Sequence, residues 1–291
     1  MGIVGQGRDQ ELIYTPWGKV LAGGPRALGQ LSSMVRELVE ARELVWRLFY
    51  RDVRAQYGQT FLGVLWPIIV PVFTVAVFTL IHRAGILTMR NIDVPYALYS
   101  LTGLAFWSIF SVSLTATSGC LVQAGPMIVK INFPKVALVV SSSLQSVVDF
   151  FIKSLLIVML CSYYRMFPPL WHVVLAGLAV LPIYLLSLGL GFVLCLAAGI
   201  SRDILSVLPL TLNALMIFTP VFYPGEQGSL LYRLNVANPL NYLVNVPRDF
   251  LFQGRTAYCT EFAVAVLFSV SLLLFGWRLF YLAQPKIAER I

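Results

Sequence analysis

Long apolar runs, separated by short polar breaks, occupy most of the chain after residue 60. Each run approaches the roughly 20 residues that a helix needs to cross the hydrocarbon core of a bilayer. We therefore expect an all-α polytopic membrane protein. The pattern predicts six transmembrane helices, at Phe61–Ile81, Tyr96–Thr117, Val136–Cys161, Val173–Ala198, Ile204–Phe222 and Thr260–Leu282.

Two further segments carry apolar residues without being able to span a bilayer. In Glu37–Gln59, apolar residues recur at four-residue steps beside arginines and acids. This predicts an amphipathic helix in the cytoplasmic membrane interface, although a soluble helix that packs on a partner would show the same pattern. Between the last two spans, Leu230–Val236 and Leu240–Phe252 are separated by Gly and Pro. Both pieces are too short to cross, so we interpret them as re-entrant helices at the outer face.

These elements divide the chain into four parts. Residues 1–36 form a cytoplasmic N-terminal arm, 37–60 the amphipathic interfacial helix, 61–283 the six-span domain and 284–291 a cytoplasmic C-terminal tail. The stretch Gly2–Gly29 is rich in Gly with scattered Pro and charge, so little fixed structure is expected there.

Composition supports the membrane interpretation and sets an orientation. Hydrophobic residues make up 58% of the chain and charged residues 12%, whereas soluble domains carry roughly 25% charged residues. This excludes soluble enzymes and nucleic-acid-binding proteins. With the N-terminus inside, the inside segments hold fourteen of the 21 Lys and Arg and the outside segments hold six. The positive-inside rule therefore predicts that both termini are cytoplasmic.

Residues that could carry chemistry are sparse. Asp149 and Lys153 form the one charged pair deep in a predicted span, four residues apart. The pair could be structural, could line a pore or could relay protons, but the neighbouring spans offer no second acid for a relay. The chain has no GxxxxGK[ST] sequence, so it cannot hydrolyse ATP through a P-loop. The spacing of its four Cys and two His suggests no metal site.

Aromatic residues cluster at the start of the first span. Ring faces stack on the apolar C–H faces of sugars, so Tyr57, Phe61 and Trp66 are candidates for the entrance of a glycan channel. Phe106, Trp107 and Phe110 of the second span accompany them. Membrane-belt and packing roles would explain the same residues.

Four stretches carry a family resemblance. They are YRDVRAQY at 50–57 running into TFLGVLWP at 60–67, VKINFPK at 129–135, TPVFYP at 219–224 and NPL at 238–240. Together they resemble the ABC-2 type permeases that export polysaccharides, over roughly residues 37–283. Two positions depart from that pattern: Gly58 stands where relatives usually carry Lys or Arg, and Val139 replaces a frequent second proline.

The resemblance implies a permease subunit that forms a homodimer and binds two copies of a separate ABC ATPase. The chain itself would then be no enzyme and would bind no cofactor, since the ATPase uses the ATP and Mg. The implied cargo is a lipid-linked polysaccharide of the O-antigen, capsule or teichoic-acid type. It would move from the cytoplasmic to the outer side of the bacterial cytoplasmic (inner) membrane.

Cargo and partner suggest two groups of site residues. Arg47, Arg51 and Arg54 of the amphipathic helix are placed to meet a phosphorylated headgroup, although ordinary positive-inside anchoring would also account for them. The cytoplasmic loop at 130–135 is expected to bind the ATPase, because its short apolar segment at Phe133 and Pro134 has no purpose in contact with lipid. Anchoring in the membrane interface is the alternative. The residues of the loop are Lys130, Asn132, Phe133, Pro134 and Lys135.

Two other functions stay open at this point. An ABC-2 exporter of a drug or of another lipid would have the same fold, and fold does not settle cargo. A membrane-embedded glycosyltransferase or ligase would need a large outer domain or clustered acids. From the end of the fifth predicted span to the start of the sixth, the acids are only Glu226, Asp249 and Glu261.

Overall fold

The computed structural model describes residues 11–15, 18–22, 27–58, 63, 65–85, 94–125, 133–223 and 235–287. Side chains are described within 34–56, 63, 65–85, 94–125, 133–223 and 235–283. The chain forms two compact units, Met1–Ala41 and Arg42–Ile291. The described residues are mostly helical, which confirms the all-α membrane fold expected from the sequence.

The first unit contains a β-hairpin followed by a helix. Strands β1 (Glu11–Thr15) and β2 (Gly18–Ala22) pair antiparallel, with Glu11 opposite Ala22, and helix α1 covers Ala27–Glu40. The expectation of little fixed structure in Gly2–Gly29 is therefore wrong for these residues. Strand-favouring residues such as Ile13 and Val20 stand in two short runs, two residues apart, and such runs favour a hairpin.

Helix α2 (Arg42–Gly58) opens the second unit. It lies within the segment expected to be one amphipathic helix, but Glu37–Glu40 belong to α1. Val45 and Leu48 of α2 are buried, whereas Trp46 and Tyr50 on the other side are exposed. The helix is thus two-sided, and its position in a membrane interface stays a prediction.

Among the described residues, five helical segments are long and apolar enough to cross a membrane. They are α3 (Trp66–Arg83), α4 (Tyr96–Gln123), the pair α5 (Val136–Ser143) and α6 (Gln145–Tyr164), α7 (Leu170–Ile200) and α10 (Cys259–Ile287). The chain is therefore a multi-pass membrane protein. The sixth predicted span corresponds to α8 (Asp203–Phe218), an apolar helix of 16 residues. At 1.5 Å per residue it covers about 24 Å, less than a hydrocarbon core of about 30 Å, so a count of six crossings stays a prediction.

The third predicted span is broken at Leu144, between α5 and α6. The hydroxyls of Ser143 and Ser146 donate to the carbonyls of Val140 and Ser143, both at 2.7 Å. The Leu144 amide bond to the Val140 carbonyl is long, at 3.4 Å. Serine hydroxyls that bond back to the helix compete with its own ladder and bend it. The serine cluster therefore accounts for the break without a proline.

Helix α4 is the centre of the second unit. Of its span 72% is buried inside the chain, against 11% for α3, and it packs against α3, α5, α6, α7, α8 and α9. Exposed apolar side chains such as Phe73 and Leu80 of α3 and Leu267 and Phe275 of α10 face outward. Such faces suit lipid or another apolar protein surface.

Helix α9 (Pro239–Gln253) covers the second predicted re-entrant piece, and most of the first lies outside the described residues. Asn238 caps α9, because its Oδ1 accepts a 3.0 Å hydrogen bond from the Leu240 amide, and Pro239 occupies the first turn. Gly254, with a φ of 69°, ends the helix in the left-handed region that glycine tolerates. Helix α9 packs against α4, α7 and α10.

Candidate functional site

A cavity of about 640 Å³ opens beside the central helix and is called the groove below. Helices α3, α4, α6 and α8 line it, together with the end of α2. Although it lies among apolar spans, many of its lining residues carry polar side chains. These are Gln56, Thr74, Ser108, Ser111, Thr115, Gln145, Asp149, Lys153 and Asn213.

The floor of the groove is one face of α4. Trp107, Ser108, Ser111 and Thr115 line it, at the three- and four-residue steps that place side chains on one helix face. The Ser108 and Thr115 hydroxyls each donate to a carbonyl of their own helix at 2.8 Å. These bonds satisfy the hydroxyl donors in an apolar surrounding, and the oxygen lone pairs remain able to accept.

One wall of the groove is a polar stripe on α6, formed by Gln145, Asp149 and Lys153 at successive four-residue steps. Asp149 and Lys153 form an ion pair whose two side chains are both mostly buried. At the end of the stripe, the Gln145 amide donates to the side chain of Gln56 in α2. The structure therefore brings the charged pair predicted from the sequence into the groove and joins the groove wall to α2.

The predicted aromatic entrance is described only in part. Trp66 is half-exposed and lines the groove, whereas Trp107 borders the groove but is only 3% exposed. The Tyr57 side chain and all of Phe61 lie outside the described residues. Phe106 and Phe110 are buried in the core and do not line the groove. A role of these aromatic residues in a glycan channel stays a prediction.

The predicted headgroup arginines lie on exposed parts of α2. Arg47 pairs with Glu43 at 2.6 Å, and Arg51 pairs with Asp52 at 2.8 Å. Such exposed pairs contribute little to stability, so both guanidinium groups can exchange partners easily. Arg54 is exposed and forms no ion pair within the described part of the chain.

Arg51 also borders a second, smaller cavity of about 270 Å³ at the cytoplasmic end of the predicted topology. Asp52, the end of α4 and helix α5 complete the lining. Gln123 of α4 and Ser142 of α5 add polar side chains there.

The predicted docking loop is described from Phe133 onward, and Lys130 and Asn132 lie outside the described residues. Phe133 and Pro134 are half-buried. Lys135 is buried at the start of α5, and this burial lowers the pKa of its ammonium group. The Phe-Pro pair is therefore partly accessible beside the buried lysine, and binding of an ATPase stays a prediction.

Sequence reasoning missed a buried cation. Arg248 of α9 is one of the six basic residues that the predicted topology places in outside segments, yet only 3% of it is exposed. Its Nη2 donates to the Val221 carbonyl at 2.8 Å, its Nη1 donates to Asn245 Oδ1 at 3.1 Å, and its guanidinium carbon lies 3.9 Å from the Tyr99 ring centre. A side chain at Gly103 would collide, because its Cβ would lie 2.0 Å from Nη2.

The same region joins two of the sequence stretches noted above, and we call it the outer knot: Tyr96, Tyr99, Gly103, Thr219, Val221, Phe222, Asn238 and Arg248. Asn238 Nδ2 donates to Thr219 Oγ1 at 3.1 Å. The Tyr96 hydroxyl donates to the Phe222 carbonyl at 3.0 Å. The signal for Arg248 was present in the sequence, since Val244 and Leu251, one helical turn away on either side, are both apolar.

The chain matches a known family of transporters. A family model described as ABC-2 type transporter matches residues 43–252, which contain α2, the groove and the outer knot. The chain belongs to this family. Its matched segment spans α2 to α9, so the groove lies wholly inside the family domain.

Within the ABC-2 family, the chain is similar to proteins named for the export or transport of polysaccharides. The chain is 26% identical to the O-antigen export system permease protein RfbA of Myxococcus xanthus over 261 residues, which cover 89% of this chain and 99% of the relative. It is 23% identical to the protein of the same name from Klebsiella pneumoniae, over 82% and 91% of the two chains. It is also 23% identical to the polysialic acid transport protein KpsM of Escherichia coli, over 85% and 96%. The resemblance to polysaccharide-export permeases is confirmed.

Proposed function

We propose that this chain is the permease subunit of an ATP-driven exporter that moves a lipid-linked polysaccharide, of the O-antigen, capsule or teichoic-acid type. Transport runs from the cytoplasmic to the outer side of the bacterial inner membrane, with both termini cytoplasmic. The names of the relatives support this cargo. The observation that carries the proposal is the groove, whose polar floor and wall run through apolar spans.

The polar groove favours a homodimer. Lipid offers no hydrogen bond to Asn213, to the remaining lone pairs of the hydroxyls or to the remaining donors and acceptors of the ion pair, so it covers this groove poorly. The flanking helices α3 and α8 carry exposed apolar residues, including Phe73, Leu80, Leu210 and Ile217, which suit contact with a second copy. Two grooves facing each other would form a water-filled conduit for a hydrated glycan, while the lipid tail stays in the bilayer.

Energy would come from two copies of a separate ABC ATPase that uses ATP and Mg. The absence of a P-loop sequence from all 291 residues supports this division of labour. The loop at 130–135 would bind the ATPase through Phe133 and Pro134, whose side chains are partly exposed.

The cargo would enter beside α2. Arg47, Arg51 and Arg54 would meet its phosphate groups, because guanidinium groups form paired hydrogen bonds with phosphate oxygens. Tyr57, Phe61 and Trp66 would then receive the first sugars on their ring faces. The exposed ion pairs of Arg47 and Arg51 support this role, since a phosphate can displace a weakly bound carboxylate.

The experiment compares a blocked groove with a matched change on the outer surface. Thr115 in the groove and Ser271 on α10 are both exposed hydroxyl residues that donate to the carbonyl four residues earlier at 2.8 Å. Thr115→Phe should abolish export of the lipid-linked glycan from cells, while Ser271→Phe should leave it near wild type at equal expression. Equal export by the two variants would contradict the conduit. Transport of a drug but of no glycan would favour the alternative cargo.

A further inference from the structure

Among the described residues that line the groove, one is an acid and one is a base. They are Asp149 and Lys153, which form an ion pair with each other. They lie near the middle of the Val136–Tyr164 span, and no basic residue of α2 is among the described residues that line the groove. The groove wall is therefore polar but carries no net charge at this depth.

A fixed charge at this depth would act strongly on a passing cargo. Side chains held between apolar helices are little screened by salt, and a unit charge in such a wall changes the local concentration of a charged ligand on the order of tenfold. A wall without net charge therefore discriminates between charged and uncharged cargo. A carboxylate that entered this groove would lose hydration without meeting a net positive charge.

The rest of the groove suits hydroxyl groups. Gln145 and Asn213 offer hydrogen-bond donors and acceptors, the hydroxyls of α4 offer acceptor lone pairs, and the half-exposed Trp66 offers a ring face. The two members of the ion pair keep further capacity, since a carboxylate has free lone pairs and an ammonium has three N–H donors. All of these groups can bind an uncharged sugar, and none of them provides a net charge that would favour an acidic one.

We propose that the Asp149–Lys153 pair keeps the groove wall without net charge and thereby makes the conduit selective for uncharged glycan segments. We call this role a charge filter. This inference rests on the proposed function, because it assumes that the groove conducts the glycan. Loss of either charge alone leaves the other uncompensated, so the wall then favours or disfavours acidic glycans. Asp149→Asn leaves a net positive wall that favours acidic glycans, and Lys153→Gln leaves a net negative wall that disfavours them.

The test uses the complex of permease and ATPase in proteoliposomes with two matched probes. One is a lipid-linked mannose oligosaccharide, and the other is the same molecule oxidised at C6 to carboxylates. The measurement is the ratio of the transport rates of the acidic and neutral probes. We expect wild type to favour the neutral probe. Compared with wild type, Asp149→Asn should raise the ratio on the order of tenfold, and Lys153→Gln should lower it.

Two control variants separate charge from folding. The double variant Asp149→Asn/Lys153→Gln removes both charges, and the exchanged variant Asp149→Lys/Lys153→Asp restores the pair in reverse order. Both should keep the wild-type ratio. Opposite shifts in the two single variants cannot come from impaired insertion, which would slow both probes alike.

Two outcomes would overturn the inference in distinguishable ways. If wild type carries both probes and the ratio stays the same in both single variants, the pair is structural and the proposed function stands. If wild type carries neither probe although its ATPase is active, the proposed function fails and the charge filter fails with it.

Discussion

Replacement of Arg248 by methionine should destabilise the protein by about 3 kcal/mol. The residue is almost fully buried, so solvent does not weaken its contacts. Two hydrogen bonds from a charged donor contribute about 1.5 kcal/mol each at the lower end of their range, and a desolvated cation–π contact adds about 2 kcal/mol. Against this, the Nε of Arg248 has no hydrogen-bond partner among the described residues, which costs about 1 to 3 kcal/mol. The contacts exceed that cost.

The assay is the free energy of unfolding in detergent micelles, followed by circular dichroism during titration with a denaturing detergent. Arg255, an exposed arginine shortly after α9, supplies the control, since Arg255→Met should change stability by no more than about 0.5 kcal/mol. The reasoning would be refuted if Arg248→Met and Arg255→Met had equal effects.

Gly103 provides an independent test of the same contact. A Cβ at this position would lie 2.0 Å from Arg248 Nη2 and 2.3 Å from the Val221 carbonyl oxygen. Gly103→Ala should therefore displace the guanidinium and disrupt the bond that Arg248→Met removes. Two changes that break one contact are not additive. The double variant should thus be less destabilised than the sum of the single variants.

Three further predictions concern packing, pH and coupling. Gly276→Ala should destabilise by about 1 to 3 kcal/mol in the same assay, because its Cβ would lie 2.3 Å from the Gly189 carbonyl oxygen, whereas Gly177→Ala in open space should not. Burial raises the pKa of Asp249, so its carboxyl group binds a proton more tightly in the folded protein than in the unfolded chain. Its stabilising effect is complete below about pH 4 and is lost as the pH rises through the raised pKa, so Asp249→Asn should flatten that decline in thermal melts. Phe133→Ala should leave insertion intact but reduce ATPase binding, measured by co-purification; unchanged binding and export would contradict a docking role.

The lengths of the apolar runs predicted most of the fold, because the thickness of a bilayer sets the length of a helix that spans it. The helices α3, α4, α7 and α10 lie where runs of about 20 apolar residues stand, and their ends differ from the predicted ones by at most six residues. The break at Leu144 could not be seen from run length, since it depends on serine hydroxyls that bond to the backbone within an apolar stretch. The hairpin of the N-terminal arm was missed because glycine content outweighed two short strand-favouring runs.

The sequence drew attention to the charged pair but not to the buried arginine. Asp149 and Lys153 stand out because charge is costly inside a span, whatever the surrounding structure. Arg248 lies outside the predicted spans, where an arginine is ordinarily exposed, so only its neighbours could reveal its burial. Its binding partners come from distant parts of the sequence, including Tyr99 and Val221.

Helix α4 shows why a polar groove could not be read from the sequence. Small hydroxyl residues occur all around this helix, and two of its threonines make nearly the same backbone bond: Thr115 donates to the Ser111 carbonyl at 2.8 Å, and Thr117 donates to the Ser113 carbonyl at 2.7 Å. Yet Thr115 lines the groove, whereas Thr117 is buried against α7, where a Cβ at Gly191 would lie 2.2 Å from its hydroxyl. The two threonines are two residues apart and chemically identical. Only the packing of α7 and α8 around α4 makes one a groove residue and the other a packing residue, and that packing is a long-range property of the chain.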